Sequence, residues 1–239
     1  MLSAFSFGKI IKTFLPGTVL CAAMLLVLEA LSRSFANQSI APTIANKDVI
    51  VATTAALLPL SLLLGFVLNT VVWLVFNRRV ARPIVRRQLG HSETYKLLRA
   101  ALLDRLKAGL KNVAPAIGSV EQEFQSLEYF YLPVITLERH NQLWESYFSW
   151  YEFQANTAFA VMFFAAALIF YLSVEPLKQP HEFWACLLII TLSIVGAAML
   201  LVASIMNLLE FDRKFLVLVA ASLEFQAHLQ TNPAAGNPW

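Results

Sequence analysis

Four histidines, two cysteines and fifteen carboxylates are the side chains from which catalysis or metal binding would have to be built here. A zinc site draws on ligands at short spacings, because two donors one helical turn apart reach the same ion. His91, His140, His181 and His228 are scattered, and none has a second His or Cys three or four residues away. Glu138 and His140 are close in sequence, as are Glu121 and Glu123, but a two-residue offset turns helical side chains apart. HExxH, GxSxG, a phosphate loop and GxGxxG are all missing from the sequence. The sequence therefore predicts no enzyme, no metal and no cofactor. Cys21 and Cys186 fall in apolar runs at different expected depths, which predicts two buried, unreactive thiols and no disulfide.

Charge is the next chemical resource. Of the eighteen Lys and Arg, eleven fall between Arg78 and Arg139. The run RRVARPIVRR places Arg78, Arg79, Arg82, Arg86 and Arg87 within ten residues. Beside an apolar segment, such a run anchors topology and touches anionic headgroups, each cation near the surface adding about 1 kcal/mol. No glycine-rich loop or base-stacking strand accompanies it, so no nucleic-acid partner is expected. Glu29 is the one ionisable residue inside an apolar run, which makes it a candidate functional charge, and Arg33 at i+4 is its expected partner.

Two runs carry stripes of small and polar residues. Thr54, Ser61, Gly65 and Asn69 share one helix face, as do Cys186, Ser193, Ala197, Ser204 and Asn207 with Gly196 beside them. Such stripes either let helix backbones pack closely or line a water-filled path between subunits. Asn69, Asn156 and Asn207 suggest a hydrogen-bonded amide layer, since an amide in hydrocarbon needs a partner. Trp144, Tyr147, Phe148, Trp150, Tyr151 and Phe153 form an aromatic cluster of the kind found at headgroup level.

These residues need elements to hold them, and composition says which. Apolar residues make up 58% of the 239 and charged residues 14%, against roughly 25% charged in soluble domains. Four apolar runs reach the length of about 20 residues that crosses a bilayer. They are Phe14–Leu31, Val49–Phe76, Phe153–Val174 and Phe183–Leu209. The first follows Lys9 and Lys12 and precedes Ser34-Phe35-Ala36, which has the look of a cleavage site. It is longer than most signal cores, however, and predicts a retained span. Fifteen of the eighteen cations lie on one side of this arrangement, the exceptions being Arg33, Lys47 and Lys178. That split predicts a multi-pass protein of the plasma (inner) membrane with both termini cytoplasmic.

The stretch between the second and third runs is too long for an unstructured loop. Leu98, Leu102, Leu106 and Leu110 recur at helical spacing over His91–Val113. Ser119-x-x-Gln122 then reads as a capping box, with Val120, Phe124 and Leu127 behind it and Pro133 as the stop. From Ile135 the pattern continues without a breaker into the third run, and the fourth continues past Glu210 with Phe211, Phe215, Leu218, Val219 and Ser222 on one face.

The fold class expected is all-α: an integral membrane protein with four transmembrane helices and a helical cytoplasmic insert between helices 2 and 3. Its parts are a first hairpin (1–76), the insert (77–149), a second hairpin (150–209) and a C-terminal helix with tail (210–239). The leading functional expectation is a homo-oligomeric pore- or channel-type effector governed by its cytoplasmic helices. The alternative is a non-conducting scaffold or anchoring subunit that recruits a soluble cytoplasmic partner. A pore needs both stripes on a common lumen. A scaffold buries them inside one subunit.

Overall fold

The structure, a computed structural model, describes residues 7–36, 39–40, 47–110, 135–174 and 180–231, with side chains over 12–35, 39–40, 56–105, 135–174 and 181–224. Within these residues the fold is all-helical and contains no strand. In chain order the elements are α1 (Phe7–Ala36), α2 (Lys47–Val72), a π-helical stretch (Trp73–Ala81), α3 (Arg82–Leu89) and α4 (Glu93–Leu110). After them come α5 (Leu137–Leu143), a second π stretch (Trp144–Phe148), α6 (Ser149–Val174) and α7 (Pro180–Thr231). Four helical segments are long and apolar enough to cross a membrane: Lys12–Phe35, Ala56–Leu89, Leu137–Val174 and His181–Glu224. The proposed capping box at Ser119 and Gln122, its apolar face and Pro133 lie outside the described residues, as do the side chains of Thr54, Leu106 and Leu110.

The first π stretch ends two residues before Pro83, which has no N–H to offer the carbonyl four residues earlier, at Arg79. The chain nevertheless stays helical from Lys47 to Leu89, and again from Leu137 to Val174.

Two compact units emerge: Met1–Ala81 with Tyr151–Ile205, and Arg82–Trp150 with Met206–Trp239. This division groups the middle segment with the C-terminal one. In the first unit many of the buried side chains are small, beside Leu68, Val72, Phe76, Tyr151 and Leu168. On α6, Ala155, Ala158, Ala160, Ala165 and Ala167 are all buried, which lets neighbouring helices approach closely and gain dispersion contacts. The second is built around Tyr95, Leu102, Phe148, Phe211, Phe215 and Val219. Large rings bury much apolar area each, the term that dominates cohesion in water.

Candidate functional site

In the first unit, α1 and α2 meet at backbone distance. Gly17 and Cys21 on α1, four residues apart, face Ser61 and Gly65 on α2 at the same spacing. A Cβ at Gly17 would overlap the Ser61 carbonyl, and one at Gly65 would overlap the Thr13 carbonyl. Cys21 Sγ and Ser61 Oγ are 3.4 Å apart, in hydrogen-bonding range for sulfur, and Ser61 is 1% exposed. Ser61 and Gly65 are therefore occupied by packing within the chain. The α2 stripe was visible in the sequence; its counterpart, Gly17 and Cys21, was missed, although the same small-x-x-x-small spacing carried the signal.

The α7 stripe turns inward in part. Ala197 and Ser204 are buried, Ser193 is half-buried, and Ser204 Oγ donates to the Leu201 carbonyl at 2.8 Å. Gly196 faces open space, with nothing within 4 Å of a Cβ placed there. Around it the outward face of α7 is apolar, with Leu188, Leu192, Val195, Met199 and Val202 all exposed. Asn207 is half-buried in the second unit.

One amide pair joins α2 and α6. Asn156 Nδ2 donates to Asn69 Oδ1 at 2.8 Å, so two members of the expected amide layer are in contact. The Asn156 Oδ1 is buried without a hydrogen bond, and so is the Asn77 Oδ1. Replacing Asn69 by Leu would strand the Asn156 amide as well, at a cost of about 1–3 kcal/mol. Thermal unfolding of the purified protein should report that loss. Adding Asn156→Leu should restore part of it, since no stranded amide then remains; strict additivity of the two would mean that the amides do not interact.

At the other end of the first unit Glu29 organises a clasp. Its Oε1 accepts from Arg33 Nε at 2.5 Å and from Ser39 Oγ at 2.7 Å, and its Oε2 accepts from the Ile40 N–H at 3.0 Å. Arg33 also lies over the Tyr171 ring, 5.8 Å from its centroid. Both carboxylate oxygens are thus engaged, which suits a structural anchor better than a titrating or ion-passing group. The Arg33 partner followed from helical spacing, whereas the loop donors from Ser39 and Ile40 did not. A cavity of about 480 Å³ opens beside the clasp, walled by Leu25, Leu26, Phe164, Leu168 and Ile189. Cys186 borders this cavity and is half-buried, not fully enclosed as expected.

In the second unit the basic run divides by function. Arg86 and Arg87 are exposed, but Arg82 turns inward and its Nη1 donates to both carboxylate oxygens of Asp212, at 2.9 and 3.0 Å. The two side chains are 15% and 6% exposed, so this is a buried ion pair between α3 and α7. Burial, and after it the Asp212 charge, push the nearby Tyr95 phenol above its ordinary range; the guanidiniums of Arg99, Arg82 and Arg86 oppose that shift. Arg78 and Arg79, in the first unit, are exposed. An aromatic zipper fastens the α5 end to α7: His140 on Phe215, and Trp144 and Phe148 on Phe211, at centroid distances of 5.3 to 6.3 Å. Trp144 and Phe148, assigned from sequence to the headgroup belt, are partners in this zipper. Their large rings at i, i+4 spacing carried the signal.

Among the described residues, no three His, Cys, Asp or Glu side chains converge as a metal site would require. No family model, curated protein or solved structure matches the chain.

Proposed function

We propose that this protein is a non-conducting membrane anchoring subunit. Its two hairpins cross the inner membrane with both termini cytoplasmic, and the second compact unit forms the helical cytoplasmic part that recruits a soluble partner. One observation carries the reading: Ser61, Gly65, Ala197 and Ser204, four of the residues that would line a pore, are buried inside the chain. Ser61 and Gly65 meet the α1 backbone, and Ala197 and Ser204 are buried. What α7 turns outward is apolar, a surface suited to lipid or a second copy and ill suited to ions. The division of cores supports the same reading. The alanine-rich packing of α6 suits lipid, where burying apolar area between helices gains little. An aromatic-rich unit flanked by exposed arginines suits water.

Two measurements test this. In a background lacking Cys21 and Cys186, a cysteine at Gln179 is expected to react with an impermeant thiol reagent in intact cells, and one at His91 is not. Labelling at position 91 would reverse the topology. Purified protein in liposomes is expected to pass no ions under a voltage or pH gradient. Sustained, protein-dependent flux would restore the pore reading.

A further inference from the structure

The second compact unit carries an open groove of about 750 Å³ between the α5 region, with its following π stretch, and the middle of α7. Arg139 stands on one wall and Arg213 and Lys214 on the other, all three exposed. Glu210 is the single carboxylate in the lining, and Arg213 Nη1 lies 3.9 Å from it, at the outer limit of an ion pair. Lys214 Nζ donates to the Tyr147 hydroxyl and sits 4.4 Å from that ring's centroid, which holds the ammonium at the groove edge. Between the cationic walls the floor is apolar, formed by Leu143, Val217 and Leu218, with Val217 55% exposed.

An apolar floor between cationic walls complements a helix with one apolar stripe and acidic flanks. It complements a phospholipid less well. Val217 and Leu218 lie about one turn beyond Arg213 and Lys214 on α7, further from the apolar run that ends at Leu209. A lipid with its phosphate on those cations would have its tails pointing away from this floor. We infer that the groove binds an acidic amphipathic helix of a cytoplasmic protein, which names the partner chemistry of the anchoring reading and rests on it.

The test uses the full chain in nanodiscs of zwitterionic phosphatidylcholine. The probe is a fluorescent helical peptide with leucines on one face and glutamates on both flanks. Saturable binding that weakens with salt is expected. It should fall by about tenfold or more in Arg139→Glu/Arg213→Glu and in Val217→Glu, all exposed positions that leave the cores intact. A peptide with lysines in place of the glutamates should not bind. Unchanged binding in these variants, or equal binding of the lysine peptide, would overturn the proposal. So would displacement of the peptide by phosphatidylglycerol in the nanodisc, which would make this a lipid groove. Binding that emerges only after Glu121, Glu123 and Glu128 are replaced by Gln would assign the groove to the chain's own acidic segment and would also overturn it. Ion flux in liposomes with peptide binding intact would sink the anchoring reading and leave the groove standing. Silent liposomes with no peptide binding would sink the groove alone.

Discussion

Gly65→Leu is expected to yield aggregated or poorly assembled protein, while Gly196→Leu leaves assembly unchanged. The two glycines are alike in composition and both lie in long apolar helices. They differ in what faces them. A Cβ at Gly65 would run into the Thr13 carbonyl, whereas one at Gly196 meets nothing within 4 Å. Overpacking a well-packed interior costs about 1–3 kcal/mol where neighbouring side chains can adjust. A backbone carbonyl cannot rotate away, so α1 and α2 would have to separate, and the Cys21–Ser61 contact would go with them. The cost should therefore reach about 3 kcal/mol or more, a large part of the 5–15 kcal/mol that holds typical proteins together. Size-exclusion profiles and thermal unfolding of the purified variants measure it. A monodisperse Gly65→Leu protein with wild-type melting behaviour would mean that the helices do not approach as closely as described. The same variant also bears on function. A leucine lining a lumen would permit assembly and alter flux, whereas a leucine in a helix interface disturbs assembly itself.

Asp212→Ala should be the most damaging single charge change, at about 3–5 kcal/mol, because it leaves Arg82 buried without its counter-ion. Arg82 is 15% exposed in its side chain and its Nη1 binds both Asp212 oxygens, so most of the pair's charge is withdrawn from water together. The paired replacement Arg82→Met/Asp212→Leu should recover most of the loss, since removing both charges also removes the cost of desolvating them. A second readout follows from Tyr95. Burial raises that phenol's pKa most, the Asp212 carboxylate raises it further, and Arg99, Arg82 and Arg86 lower it. Removing Asp212 takes away one of the two raising causes while the lowering charges stay, so Tyr95 should ionise at a lower pH in the variant than in the wild type. Ultraviolet titration with Tyr95→Phe as the subtraction control detects the shift. If Asp212→Ala melts as the wild type does and Tyr95 titrates unchanged, the ion pair does not exist in solution.

The hydrophobic content of the chain determined its helical class and its four long apolar helices without any structure. Transfer of each residue from water is close to a local property, so it sums along the sequence and a window reads it directly. Helix faces were legible for the same reason: the 3.6-residue period alone puts Ser61 with Gly65, and Glu29 with Arg33. Tertiary structure alone decided what those faces meet. Arg82 sat in a run that reads as five equivalent surface cations, and only a partner 130 residues away separates it from Arg86 and Arg87. Asp212 falls on the helical face of Phe215 and Val219, but that spacing does not name its partner. By sequence the α2 stripe reads equally as a lumen or as an interface, because both require small residues at the same spacing; that Ser61 and Gly65 meet α1 is a tertiary fact. Glu29 likewise drew hydrogen bonds from Ser39 and Ile40, in a loop that no helical period describes. Local periodicity settles which side of a helix is distinctive. Which other helix, loop or charge covers that side depends on chain folding over long separations, and that information is not local.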